Sequence, residues 1–155
     1  MTQPGTQFIE AAQASQRTWH IPASITLAQW ALESGWGKHD LGCFNYFGMK
    51  APCDAQGNPL TPHVDVKTRE VDRNGHDYYI IAPFRRFSSV GEAFDEHAKL
   101  LATKGAYEAA RAKLPDPDAF ADALTGVYAT DPTYGKSLKA IMHGSNLYQY
   151  DVPAA

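Results

Sequence analysis

The stretch PASITLAQWALESGWG, residues 22–37, decides how this chain folds. Pro22 stands where proline is tolerated, at the opening of a helix. Ile25, Ala28 and Leu32 then recur at helical spacing until Gly35 and Gly37 stop the run. At about 100° per residue Glu33 shares a face with Thr26, Gln29 and Trp30, beside that apolar stripe, which makes it an edge carboxylate. It lies near the negative end of the helix dipole, and Trp30 and Trp36 are placed to strip water from it. Both effects predict a raised pKa. A carboxyl kept protonated near neutral pH is what a general acid for glycosidic-bond cleavage requires.

Outward from this helix the pattern reads helix, helix, loop, hairpin, helices. Phe8, Ala11, Ala12, Ser15 and Trp19 predict a first helix that ends at His20-Ile21-Pro22. Residues 38–62 are rich in Gly, Pro, Asn and Asp without a period, and read as a long structured loop. Val64 to Val71 is strand-like, with Val64, Val66, Thr68 and Glu70 on one face. Asn74-Gly75 reads as a two-residue hairpin turn, which sets Glu70 opposite Tyr79 in a second strand that Pro83 closes. Ser88 or Ser89 caps a third helix with Phe94, Ala98 and Leu101 inward. A short helix over Ala106–Ala112 follows, then one from Pro117 to Tyr128 carrying Phe120, Ala123, Leu124 and Val127 inward. Asp131 is the expected N-cap of the last helix, whose Leu138 and Ile141 face inward. The expected class is α+β: one domain over residues 1–155, mostly helical with one small hairpin lobe.

Composition excludes several functions. With 44% apolar and 20% charged residues the chain is ordinary globular protein, and a net charge of −3 offers no field for a nucleic-acid backbone. No apolar run approaches the roughly 20 residues of a membrane span. Gly135-Lys136-Ser137 ends like a phosphate-binding loop, but position 130 is Thr where glycine is needed. Histidines are scattered without metal-ligand spacing, and the segment Asp54–Asn58 has too few carboxylates for calcium, so neither a metal nor a cofactor is expected. Cys43 and Cys53 fit a loop disulfide and reduced thiols equally well, and Cys43 as a nucleophile with His97 or His143 is the weaker reading of that residue.

The block from Gln29 to Gly37, followed by Asn45-Tyr-Phe-Gly-Met-Lys50, resembles glycoside hydrolase family 73, the bacterial peptidoglycan β-N-acetylglucosaminidases. Thr68-Arg-Glu70, Phe84-Arg-Arg-Phe87 and Tyr128-Ala-Thr-Asp-Pro-Thr-Tyr134 follow in the family's order, so the resemblance spans roughly residues 8–150. It implies a lysozyme-like fold in which a helical lobe and a β-lobe flank a glycan groove. By that likeness Glu33 is the catalytic acid, Glu70 the β-lobe general base and Tyr128 an active-site tyrosine. Asn45, Phe47 and Tyr134 match positions that bind substrate by lining or shaping the groove. The chain departs from the family in the loop from Pro52 to Pro62, in the aromatic hairpin run His76-Asp-Tyr-Tyr79 and in Tyr46, where an aliphatic residue is usual.

The expected function is hydrolysis of β-1,4 bonds in peptidoglycan strands by an endo-β-N-acetylglucosaminidase. Glu33 protonates the leaving oxygen and Glu70 activates water, with inversion if the carboxyls lie roughly 6.5–9.5 Å apart. The rival route uses the substrate's N-acetyl group as nucleophile, oriented by Tyr128, with Glu70 dispensable. A muramidase or lytic transglycosylase shares this sequence logic, and a non-catalytic glycan- or partner-binding module is the reading from another class. The N-terminus lacks the pattern of a secretory signal, so the expected chain is made in the cytoplasm and acts in the periplasm or cell wall after delivery by another route. The routes open are injection into a rival's periplasm, release during phage lysis and excision from a larger secreted protein; the injected antibacterial effector is favoured, which implies a cognate immunity protein blocking the groove.

Overall fold

In the computed structural model, which describes residues 2–153, α1 (Thr6–Trp19) and α2 (Ala23–Ser34) open the chain. The strands β1 (His63–Val71) and β2 (Asp77–Arg85) form an antiparallel pair, and α3 (Val90–Thr103), α4 (Glu108–Arg111), α5 (Pro117–Ala123) and α6 (Tyr134–Gly144) complete the order. The α+β expectation therefore matches the element list, and no helix of the described residues is long and apolar enough to cross a membrane.

α1 turns out through His20 in the left-handed region, and α2 ends the same way at Gly35. Between them lies the largest departure from the periodic reading of the sequence. α2 is buried from Ala23 through Ala31 and again at Ser34, while Leu32, expected inward, is 39% exposed. The helix runs through the middle of the molecule, against α1, α6 and the C-terminal 3-10 turn Leu147–Tyr150, so it has no solvent side from which a stripe could be distinguished. Two of its polar residues find partners inside: Asp151 accepts from the Ser24 backbone N–H and hydroxyl, and the Gln29 amide donates to Tyr134, whereas the Thr26 hydroxyl is buried without a partner. Trp30 anchors the core, with Phe8 at 4.4 Å between ring centroids and Trp36 edge-on at 5.7 Å, so Trp36 caps the core.

Residues 38–62 form the predicted loop, and its inner part is organised by Asn45. The Asn45 amide donates to the carbonyls of Met49 and Arg85, and its oxygen accepts from the Met49 N–H. Ala51 N–H then donates to the Pro83 carbonyl and Arg85 N–H to the Met49 carbonyl, which lays the loop along the free edge of β2. This explains why β2 continues past Pro83 to Arg85: the proline lacks only a donor, and its carbonyl is used. Cys43 is buried and Cys53 exposed, both as free thiols.

The hairpin keeps Val64, Val66, Thr68 and Glu70 on its inner face, but its register differs from the expected one: Glu70 faces Tyr78, not Tyr79. Asp72 is the reason. Its backbone N–H donates to the His76 carbonyl, the Gly75 N–H donates back to the Asp72 carbonyl, and its carboxylate accepts from the N–H groups of Asn74 and His76. With Gly75 at φ +79°, this is a three-residue loop with a glycine bulge, one residue longer than the turn read from Asn74-Gly75.

Ser89 caps α3 by accepting from the Glu92 N–H, and Asp116 caps α5 through Asp118 and Ala119. α5 stops at Ala123 instead of reaching Tyr128; Gly126 at φ +78° breaks the helix and leaves Val127 47% exposed. Asp131 holds the turn before α6 through the Thr133 N–H and hydroxyl, so the N-cap position falls to Thr133. Gly135 is required by packing: a Cβ there would lie 2.8 Å from the Ala121 carbonyl and 2.7 Å from the Thr125 hydroxyl. That close approach of α6 to α5 sets Tyr134 against the end of α2.

Candidate active site

Glu33 is the next-to-last residue of α2, two residues before the left-handed exit at Gly35. Its side chain opens onto a groove of about 710 Å³ lined by Phe47 to Pro52, by Arg85 of β2, by Leu100, Lys104 and Tyr107, and by Tyr128 and Ala129. The Tyr134 hydroxyl donates to Glu33 Oε1 at 3.1 Å and accepts from Gln29 Nε2 at 3.0 Å. Tyr134 in turn stacks on Tyr128, with ring centroids 5.6 Å apart and planes within 17°.

The electrostatics follow from this arrangement. Glu33 reaches water at the groove mouth, yet the protein crowding around it raises its pKa by desolvation, against the smaller opposing effect of the Tyr134 hydrogen bond. The direction is the one expected from the sequence, but neither Trp30 nor Trp36 lines the groove; Phe47, Tyr107 and Tyr128 do. Burial pushes the Tyr134 hydroxyl far up, helped by the Glu33 charge, and burial does the same to Tyr128, so both remain neutral donors. Because the Tyr134 hydroxyl stabilises the charged carboxylate, Tyr134→Phe raises the Glu33 pKa. An acid must be protonated to work, so the alkaline limb of a pH–rate profile is expected to move to higher pH in that variant; an unmoved or lowered limb would show that Tyr134 does not tune Glu33.

Glu33, Phe47 and Tyr128 thus meet in one groove, and Tyr134 touches Glu33 from beneath. Asn45 does not reach it: the residue is 1% exposed, its amide spent on the loop backbone, so it can only shape the wall formed by Phe47 to Pro52. Glu70 is outside the groove lining, on the inner face of the hairpin, where its carboxylate pairs with Lys50 at 3.3 Å. Sequence reasoning gave no role to Gln29, Tyr107, Lys104 or Arg85. Gln29 precedes Glu33 by four residues, so helical spacing carried its signal; Arg85 lay within the Phe84–Phe87 block without a role of its own, and Tyr107 and Lys104 come from a distant segment with no signal.

Behind Phe47 lies His97, fully buried, with its ring stacked at 3.9 Å on Phe47 and edge-on to Tyr128 at 6.0 Å. Among the described residues no group of three or more His, Cys, Asp or Glu side chains could hold a metal ion. A second concavity of about 680 Å³, lined by Gln16, Arg17, Leu114, Pro115 and Asp151 among others, does not include Glu33, and its one carboxylate is occupied by Ser24.

Three comparisons bear on the arrangement. The chain is 34% identical over 147 residues to the exo-glucosaminidase LytG of Bacillus subtilis, an alignment covering 90% of this chain and 50% of that protein. It is 36% identical over 157 residues to a probable N-acetylmuramidase of Lactococcus lactis, covering 93% of this chain and 34% of that one. The chain thus spans about half or less of the curated relatives it matches. The catalytic domain of the autolysin Auto from Listeria monocytogenes superposes with a TM-score of 0.78 at 28% identity, over 97% of this chain and 91% of that domain, which agrees with the lysozyme-like architecture expected. With residues 9–147 matching the family model described as Glucosaminidase, mannosyl-glycoprotein endo-beta-N-acetylglucosaminidase, the chain belongs to that family, glycoside hydrolase family 73.

Proposed function

We propose that this chain cleaves β-1,4 bonds of the peptidoglycan glycan strand as an endo-β-N-acetylglucosaminidase, with Glu33 as general acid. The observation that carries the reading is the desolvated, tyrosine-bridged carboxyl of Glu33 opening onto a groove walled by Phe47, Tyr107 and Tyr128. Desolvation favours the protonated form of Glu33 that the leaving oxygen needs, and aromatic faces suit the apolar faces of sugar rings. Relatives named as a glucosaminidase and as a muramidase both support the glycan strand as substrate. Mass spectrometry of muropeptides released by the wild type tests the bond: N-acetylglucosamine at the new reducing end is expected, and N-acetylmuramic acid or an anhydro end would assign a muramidase or a transglycosylase.

For the second half of the reaction, Glu70 as base and the substrate's N-acetyl group as internal nucleophile remain the alternatives. Tyr128 stands in the groove with Glu33, whereas Glu70 is tied to Lys50 at the hairpin, and this favours the internal route with Tyr128 orienting the N-acetyl group. Glu70→Gln is then expected to keep activity within about tenfold of wild type, while Tyr128→Phe loses more, roughly 10- to 100-fold. A loss of about 100-fold or more in Glu70→Gln would return water activation to Glu70.

Action at the cell wall follows from this substrate and accords with relatives named as an autolysin and as peptidoglycan hydrolases. Delivery as an injected effector, with an immunity protein seated in the groove, is a separate proposal. Periplasm-targeted expression should lyse cells, and survival with active enzyme in the periplasm would remove it.

A further inference from the structure

The groove carries more charge than a neutral polysaccharide needs. Its lining includes Lys50, Arg85 and Lys104, against Glu33 as the sole acid, in a protein whose net charge is −3. When Glu33 holds the proton it is to donate, every formal charge on the lining is positive. Two of these cations are already matched: Lys50 pairs with Glu70 at 3.3 Å, and Arg85 with Glu96 at 3.1 Å. Lys104 is exposed, and among the described residues no carboxylate lies within 4.0 Å of its ammonium.

Lys104 is also firmly mounted. It is the residue that follows α3, its N–H donates to the Leu100 carbonyl, and its own carbonyl accepts from Arg111 Nη1 at 2.8 Å. The same guanidinium nitrogen donates to the Leu101 carbonyl at 2.8 Å, so the end of α3 is clamped by a charge that also suits the helix C-terminus. An unpaired ammonium on a fixed backbone, facing a sugar groove from the wall that also carries Tyr107, has the form of an anion contact.

We propose that Lys104 recognises a carboxylate on the bound strand, so that the groove selects carboxylate-bearing glycans over neutral N-acetylhexosamine polymers. The proposal rests on the glycan-hydrolase reading and names what that groove distinguishes. A strand of N-acetylglucosamine alone is uncharged. N-acetylmuramic acid adds a lactyl carboxyl, which is ionic when free; when it is amide-linked to a stem peptide, the charge sits instead on the peptide's own carboxylates. Either source supplies the same chemistry, and the two respond oppositely to removal of the peptide.

The test measures binding of soluble strands to the Glu33→Gln protein, so that cleavage does not intervene, in three forms: peptide-bearing, amidase-stripped, and amidase-stripped with carboxyls converted to amides. Carboxylate strands are expected to bind about fivefold more tightly than the amidated form at low salt, a size fitting one exposed charge pair. The preference should fade as salt rises toward 1 M. In Lys104→Gln the ratio should fall toward one, and in Lys104→Glu it should reverse. Tighter binding before amidase treatment identifies the stem-peptide carboxylates; tighter binding after it identifies the lactyl group. Equal binding of charged and amidated strands, or a preference that survives Lys104→Glu, overturns the proposal. If the wild type binds strands with this preference but releases no fragments from them, the hydrolase reading fails and the carboxylate contact stands.

Discussion

Glu33→Gln is expected to abolish cleavage of peptidoglycan while the protein stays folded and still binds the strand. The substitution is close to isosteric, and the new amide oxygen can still accept from the Tyr134 hydroxyl that bonds Glu33 Oε1 at 3.1 Å. Gln29, Tyr134 and the stacked Tyr128 therefore need not move. Only the transferable proton is lost, and a positioned general acid is worth roughly 10²- to 10⁴-fold in rate. Release of new reducing ends, followed beside thermal unfolding, checks both halves of the expectation. Cleavage within about tenfold of wild type would show that Glu33 is not the acid. Loss of cleavage together with loss of the fold would instead assign Glu33 a structural part.

The second large effect concerns stability and pH. His97 is fully buried and neither ring nitrogen has a hydrogen-bond partner, so burial pushes its pKa down to about 3, from about 6.5 in an unfolded chain. Above pH 6.5 the ring is neutral in both states and the fold loses nothing. As pH falls below 6.5 the unfolded chain takes up a proton that the native ring refuses, so stability declines with acidification and the decline ends only near pH 3. Between pH 6.5 and 5 the loss amounts to about 2 kcal/mol. Denaturant midpoints at pH 7 and pH 5 should differ accordingly in the wild type and converge in His97→Phe. The comparison is between slopes, so it survives any change in absolute stability caused by the larger ring. A wild type with equal midpoints, or a variant with the same loss, would show that His97 does not set the acid limit. Because His97 supports both Phe47 and Tyr128, the acid-sensitive ring also underlies the groove wall.

What the sequence disclosed divides along a physical line. Elements with local signals were legible: the left-handed exit at Gly35, the Ser89 cap of α3, and the alternation that places Glu70 on the inner face of β1. The upward shift of the Glu33 pKa was legible in direction from its place at the helix end, but not in its surroundings, because the groove walls come from distant segments and not from Trp30 or Trp36. Errors arose where a distant segment overrode the local pattern. Leu32 looked buried by period, but α2 has neighbours on nearly every side along its length and Leu32 emerges into solvent near its end. Val127 looked helical until Gly126 turned the chain, and the hairpin gained a residue because Asp72 builds its own turn. Of the two parts expected of Asn45, lining or shaping the groove, its buried amide leaves only the second, since it is taken by Met49 and Arg85. Lys104 had no local signal, since its meaning depends on which cations elsewhere are already paired.

The burial of α2 also bears on how much the protein tolerates change. Apart from Leu32 and Glu33, this helix offers no outward position, so nearly every substitution along it disturbs the interior. Glu33, the acid proposed above, is thereby mounted at the tip of a rod buried along nearly its whole length, which keeps its aim independent of drift on the surface. For an engineer, Leu32 is the one place on that rod, apart from Glu33 itself, where a reporter group can be attached without opening the core.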